Sequence, residues 1–448
     1  MAYVAPFRAL RYDPSRVDLK QVVTQPYDKI SPAMQDRYYA ASPHNLVRII
    51  LGKQQSDDRP GENVYTRAAG YFQDWRRQGI FLQDPEPSLY SYVQHFSGPN
   101  GGAELERRGF IALGRVEDYS NNVVFRHEQT LAKPKADRLE LLRAAHAHFG
   151  QLFMLYSDPA GEVEGLLHTH DEPLTRVRDE YGVLHQITRV SSPGLIELVR
   201  GKMRDKKLII ADGHHRYETA LNYRDERRTA AGRVAGEVVN TESAAAAASA
   251  EPAPYELVMM TFINMDSPGL LILPTHRVVH GVASFLADEF RTRANEYFSV
   301  EEADPGIDAN RATGILRAAG QAGTALLAVT ADRAFLMSTP KASGSSRFEG
   351  FSLRQQALDV VQLHRCLLEG ALGISEEAIR NQTNISYVRD AAEALSRVRS
   401  GAANIAFLMN PVRMRQVRDL AFAGEVLPQK STDFYPKLLS GLTIYALE

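Results

Sequence analysis

The chain has 448 residues, 44% of them hydrophobic and 24% charged, which suits two or three domains with sizeable cores. Lys and Arg number 52 against 54 Asp and Glu, so no global field favours nucleic acid or an anionic membrane as partner. A single cysteine, Cys366, excludes an internal disulfide framework and any zinc site built on several thiolates.

The N-terminus MAYVAPFRALRYDP has no long apolar run, and no stretch approaches the ~18 apolar residues that span a bilayer. A cytoplasmic protein without a membrane partner is expected. Along VVTQPYDKISP, Ser31 before Pro32 predicts a helix N-cap with proline at the first helical position, and AMQDRYYAAS is the helix. LVRIILG is expected as a short strand. Over residues 62–79, Val64, Ala68, Tyr71, Phe72 and Trp75 share one helical face, and Gly79 ends it. LYSYVQHF and RGFIALGRV read as paired strands joined by SGPNGG.

The basic, turn-rich stretch Arg126, His127, Glu128, Lys133, Lys135, Asp137 and Arg138 precedes LELLRAAHAHFG, expected as a helix carrying His146 and His148. Those two histidines would point to different faces and make no shared metal site. His168-Thr169-His170-Asp171 reads as a surface turn. QLFMLY is a strand. Strand KLIIA runs into Asp212-Gly213-His214-His215-Arg216 and then a helix. The stretch 243–254, SAAAAASAEPAP, is an alanine run closed by prolines with no face to bury, expected as a mobile surface insertion. YELVMMTFINM and LLILP are strands, the latter entering Thr275-His276-Arg277. The last third holds amphipathic helices, strands ALLAVTA and AFLMS, and a closing segment containing LPQKSTDFYPK. Cys366, in VVQLHRCLLEGALGI, reads as a buried small hydrophobe.

The expected fold class is α/β or α+β, with mixed sheets and helices. Its regions are an N-terminal mixed part (1–120), a central domain (121–290) and a C-terminal α/β part (291–448).

The strongest chemical signal is KLIIADGHHRYETAL. A strand places Asp212 at the sheet edge, where open α/β folds bind ligands. Gly213 allows a tight turn and close backbone approach. The helix beyond offers a positive dipole end suited to phosphate. Arg216 adds donors that match phosphate oxygens. Asp212 would act as general base or hold Mg²⁺, while His214 and His215 carry protons or orient phosphate. The structural alternative is that Asp212 caps the helix and the histidines pack. Further anion-binding candidates are Lys430, Ser431, Thr432 and Lys437 in the closing segment, though no glycine-rich stretch makes it a P-loop. His127, Lys133, Lys135 and Arg138 form another group, and His276 with Arg277 a third.

The segments PFRALRYDP, VVTQPYDKISP, SPHNLVRIILG, RHEQT with KPKADR, ADGHHRYETAL, LPTHRVV and LPQKSTDFYPKLLSGL together resemble the DUF1015 family over nearly the whole chain. The box DGHHRYETA is also similar to the Gly-x-His-Arg box of the ParB and sulfiredoxin superfamily. That likeness implies a central domain of that type and nucleotide binding at Gly213, His215 and Arg216. Some members of the superfamily are free serine kinases, in which an Asp before the box and an upstream carboxylate support transfer. Asp212 matches the first; Asp28 and Glu128 are both candidates for the second. Residues and resemblance together lead to phosphoryl transfer between ATP or ADP and a small hydroxyl-bearing metabolite, serine above others, with Mg²⁺ as possible cofactor. The alternatives are a phosphatase acting on phosphoserine or a similar monoester, and a nucleotide-binding regulatory module without turnover.

Overall fold

The computed structural model describes residues 1–128, 132–167, 171–232 and 251–448, without the side chains of residues 100 and 132–134. It divides into two compact units. The first comprises Met1–Arg126, Thr130–Leu271 and Pro436–Glu448, and the second His127–Gln129 and Ile272–Tyr435. Both mix helices with sheets, so the chain is a mixed α/β protein.

The first unit is built on a nine-stranded sheet. Its strands are β1 (Val4–Ala5), β2 (Leu89–Ser97), β3 (Glu104–Arg115), β4 (Val124–Phe125), β5 (Leu152–Tyr156), β6 (Thr175–Arg178), β7 (Leu184–Val190), β8 (Leu208–Asp212) and β9 (Leu257–Asn264). Their order is β4-β8-β5-β9-β3-β2-β7-β6, with β1 added to β3. β2 and β3 form the expected antiparallel pair, with Tyr90 opposite Ile111. β8 lies parallel to β4 and antiparallel to β5, and its register slips between Ile210 and Asp212. That irregularity falls where the chain leaves the sheet, a common place for a bulge to re-aim a side chain.

Helices follow the local chemistry. In α1 (Pro32–Ala41), Ser31 accepts from Met34 N and proline stands in the first turn. In α2 (Val64–Arg77), Asn63 and Thr66 make a capping box, and Ala68, Phe72 and Trp75 are buried. Burying a side chain such as Phe72 contributes about 1.5–3 kcal/mol. α3 (Ala132–Ala145), α4 (Pro193–Met203) and α5 (His214–Ala230) complete the set needed here. One core packs Ile196, Val199, Tyr217 and Ala220 against Phe110, Met154 and Ile210 of the sheet. A second gathers Phe72, Trp75, Ile49 and Leu141.

Three local expectations fail. Lys133, Lys135, Asp137 and Arg138, expected in a turn-rich stretch before the helix, lie inside α3, where Pro134 falls in the first turn and so costs no intrahelical bond. LVRIILG is not a strand: Val47–Ile50 is a short helix, because the Asn45 side chain accepts from Val47 N and Val47, Ile49 and Ile50 all bury. His146 and His148 are not helical: α3 ends at Ala145, His146 takes φ 49°, and His148 pairs with Tyr445 in a two-stranded ribbon. Residues 168–170 and 233–250, which include most of the alanine-rich stretch, lie outside the described residues.

The second unit holds a six-stranded sheet of β10 (His276–Val279), β11 (Phe298–Ala303), β12 (Ala325–Val329), β13 (Ala334–Pro340), β14 (Ile385–Val388) and β15 (Ile405–Met409). The order is β11-β13-β12-β15-β10-β14, antiparallel throughout. α6 (Ala309–Ala319) and α7 (Ala391–Arg399) pack Ala312, Leu316, Leu395 and Val398 on Leu327 and Leu408. α8 (Met414–Phe422) follows β15. Cys366 is buried, as expected, and burial pushes its thiol up to about 11. Among the described residues no helix is long and apolar enough to cross a membrane.

Candidate functional site

β8 ends at Asp212, and Gly213 turns the chain into α5 with φ 99°. A Cβ at position 213 would lie 2.9 Å from Leu152 Cδ2 and 3.2 Å from Arg216 Cζ, so glycine is required by both conformation and space. Gly213 itself is the N-cap, and no side chain caps α5. Asp212 therefore does not serve as a cap. Its Oδ2 accepts from Lys437 Nζ at 2.8 Å and its Oδ1 from Arg216 Nη2 at 3.2 Å. Arg216 also donates to the carbonyl of Gln151. Lys29 lies close enough to act on the same carboxylate. Burial alone would raise the Asp212 carboxyl, but Lys437, Arg216 and Lys29 outweigh it and hold it far below the usual carboxylate range.

Three cations thus gather round one carboxylate at a helix N-terminus. The excess positive charge and the dipole both favour an anion there. His214 is buried on the first turn of α5 and His215 half-buried beside it.

Two segments far apart in sequence carry the lysines. Thr24 and Ser440 exchange backbone hydrogen bonds, which ties the segment leading to Lys29 to the one following Lys437. A buried polar chain holds both. Arg107 donates to Gln94 Oε1 and to the carbonyl of Pro436, and Gln94 Nε2 donates to the carbonyl of Lys437 at 2.9 Å. Gln94 also meets His185 Nδ1 at 3.3 Å; His185 Nε2 meets Asp179 at 3.2 Å, and Asp179 accepts from Gln25 Nε2 at 3.1 Å. Arg107 is fully buried over the Phe153 ring, and burial pulls its guanidinium down to about 10, still charged at neutral pH. Nothing in the sequence reading singled out this chain. A fully inward arginine on strand β3 is its one local trace.

A cleft beside Arg216 is walled by Ile50, Leu141 and Phe149 and bordered by Tyr27, His148, Gly150 and Ser440. Arg138 closes one side, with its guanidinium 4.1 Å from the centre of the Tyr27 ring and a 2.6 Å bond to the Ile50 carbonyl. His148 stacks on Tyr445, and burial pulls it down to about 4, so it is neutral at pH 7. Lys135 pairs with Glu218 on α5 at 2.8 Å. Lys133 belongs to α3, but its side chain is outside the described residues. Asp28 is exposed, next to Lys29 in the turn Tyr27–Lys29.

The remaining candidates belong to the second unit. His127 Nε2 meets Thr432 Oγ1 at 2.8 Å, Glu128 Oε1 accepts from Lys430 N at 3.0 Å, and Ser431 Oγ donates to the Pro428 carbonyl. Arg277 is fully buried over the Tyr387 ring and donates to the Lys430 carbonyl at 3.2 Å. His276 Nδ1 accepts from Met409 N at 3.3 Å, and burial pulls the ring down to about 4. It is therefore an uncharged acceptor at pH 7 rather than a cation. The closing segment is divided accordingly: Lys430, Ser431 and Thr432 join His127, Glu128 and Arg277, whereas Lys437 joins Asp212.

The family model described as "Protein of unknown function (DUF1015)" matches residues 4–361. The chain belongs to the DUF1015 family. No curated protein matches it. Among solved structures, a conserved hypothetical protein from Pyrococcus furiosus is similar at 11% identity and TM-score 0.36, covering 75% of this chain and 95% of its own. A free serine kinase in complex with AMP is similar at 12% identity and TM-score 0.35, over 72% of this chain and 86% of that one. C-terminally truncated SbnI from Staphylococcus aureus follows at 11% and 0.34, over 74% and 85%.

Proposed function

We propose that this DUF1015 protein transfers a phosphoryl group between ATP or ADP and a small hydroxyl-bearing metabolite, with serine the leading acceptor. The observation that carries the reading is the convergence of Lys437, Arg216 and Lys29 on Asp212 at the N-terminus of α5. Phosphoryl transfer asks little covalent chemistry of a protein and much positioning and charge stabilisation. The likeness of Gly213, His215 and Arg216 to the ParB and sulfiredoxin box supports the same reading.

In this account Arg216, Lys437 and Lys29 engage phosphate oxygens, and the Gly213 turn lets the backbone approach them. His214 and His215 orient the phosphate. A carboxylate held so far below its usual range is a weak proton acceptor. Asp212 is therefore assigned the task of fixing its cations, and Asp28, in the same unit and adjacent to Lys29, that of taking the hydroxyl proton. Mg²⁺ does not fit Asp212, whose two oxygens already accept from Lys437 and Arg216 with Lys29 close by.

One observation favours nucleotide binding without turnover: the charges dominating the environment of Asp212 are all cations, with no second carboxylate among them. A thermal-shift panel of ATP, ADP, phosphoserine and serine, each with and without Mg²⁺, tests for the nucleotide site that both readings require, because a ligand bound only by the folded state raises Tm. A shift with nucleotide, lost in Lys437→Ala, is the expected result. A shift with phosphoserine alone supports a phosphatase, and no shift with any of them removes the proposal.

A further inference from the structure

A cavity of about 260 Å³ opens in the second unit where β15 gives way to α8. Its walls are the turn 320–323, residues 357–359 and the loop Asn410–Arg413. Two bonds tie that loop to the end of α6: Arg413 Nη2 donates to the Gly320 carbonyl at 2.9 Å, and Asn410 Nδ2 to the Leu316 carbonyl at 2.8 Å. The approach is close enough that a Cβ on residue 320 would lie 2.4 Å from Asn410 Nδ2. Asp359 is held separately, by the Thr324 side chain and the backbone of Ala325. Burial pushes its carboxyl up to about 6 despite those bonds and the nearby charge of Arg413. Among the described residues no ion pair joins Asp359 to Arg413.

Opposite charges are thus anchored on separate supports along one cavity instead of neutralising each other. Arginine has five donors in a fixed fork, and the bond to Gly320 leaves others for a ligand carboxylate. The N-terminus of α8 adds to that positive end. Asp359, on the wall of the same cavity, is in contact with no cation among the described residues, and Arg413 acts on it only from beyond ion-pair distance.

We propose that this cavity binds a small zwitterion of the α-amino acid class, with its carboxylate on Arg413 and its ammonium on Asp359. The proposal is independent of the phosphoryl-transfer reading, which concerns the first unit.

Isothermal titration of the full chain with individual α-amino acids tests it, alongside N-acetylserine and ethanolamine, which each lack one of the two charges. At least one α-amino acid is expected to bind saturably, and both analogues to bind about tenfold more weakly or worse, as loss of one charged hydrogen bond implies. Asp359→Asn and Arg413→Lys should each weaken binding about tenfold. Lys retains a donor for Gly320, and an unchanged circular dichroism spectrum certifies its fold. Asp359 and Arg413 belong to the second unit, so their losses separate this cavity from serine held in the first. Absence of saturable binding by any amino acid overturns the proposal. So does binding that survives Arg413→Lys and Asp359→Asn together.

Discussion

Lys437 Nζ lies 2.8 Å from Asp212 Oδ2 although 225 residues separate them in the chain. Only 8% of the lysine side chain and 17% of the aspartate side chain are exposed. Removing one partner of such a pair leaves a charge stranded in a poorly solvated place. Arg216 remains to share the burden, which limits the damage.

Lys437→Ala should therefore destabilise the fold by ~2 kcal/mol, within the range for an unsatisfied charged group. Urea unfolding measures it. In a double-mutant cycle with Asp212→Asn, the two losses should be less than additive, because both remove the same interaction. Strict additivity would mean that the pair contributes nothing.

The depressed carboxyl of Asp212 has a pH signature. An unfolded aspartate titrates near ~3.9, and the folded one far below it. The stabilisation is fully present above the unfolded value and is lost as pH falls toward the folded one. Compared at pH 6 and pH 3, the wild type should lose more stability than Asp212→Asn. Parallel losses would argue that the three cations do not hold the carboxylate ionised.

His276 acts in the same direction at higher pH. Its ring titrates at about 4 when folded, against ~6.5 when unfolded. Between those values the unfolded chain binds more protons, so stability falls as pH drops from about 6.5 to 4. His276→Asn, whose amide oxygen can accept from Met409 N, should flatten that part of the profile. An unchanged slope would show that other groups set it.

Gly213→Ala places a methyl against Leu152 and Arg216 at a positive φ. A left-handed non-glycine residue costs about 1–2 kcal/mol before any clash. Tm should fall and nucleotide affinity should fall with it, because Arg216 must move. A lower Tm with unaltered affinity would detach Arg216 from the phosphate.

Much of the fold is written locally. Ser31-Pro32, the Phe72 and Trp75 face, the β2–β3 pair and the strand–Gly–helix passage through Asp212 are all signalled by residues close together in sequence. The short helix at Val47 escaped because a brief apolar run serves a strand or a buried helix equally well. His146 and His148 escaped because the helix stops one residue earlier. The site itself was half legible. Asp212, Gly213 and Arg216 announce themselves by adjacency, and Lys437 was noticed only as one basic residue among several. Its pairing with Asp212 depends on Arg107, Gln94 and the Thr24–Ser440 contact, which are long-range and leave no periodic trace. Lys29 lies in the turn just before Ser31-Pro32, and nothing local marks it as facing a carboxylate.

The most direct test of the central claim is phosphoserine formation by the purified chain given serine, Mg²⁺ and either ATP or ADP, followed by mass spectrometry. The account predicts time-dependent phosphoserine with one of the nucleotides, and a loss of ~10² or more in rate in Asp28→Asn, the size expected for removing a general base. Product formed at an undiminished rate by Asp28→Asn would contradict the assigned base. Absence of product with either nucleotide would contradict serine phosphorylation as the activity.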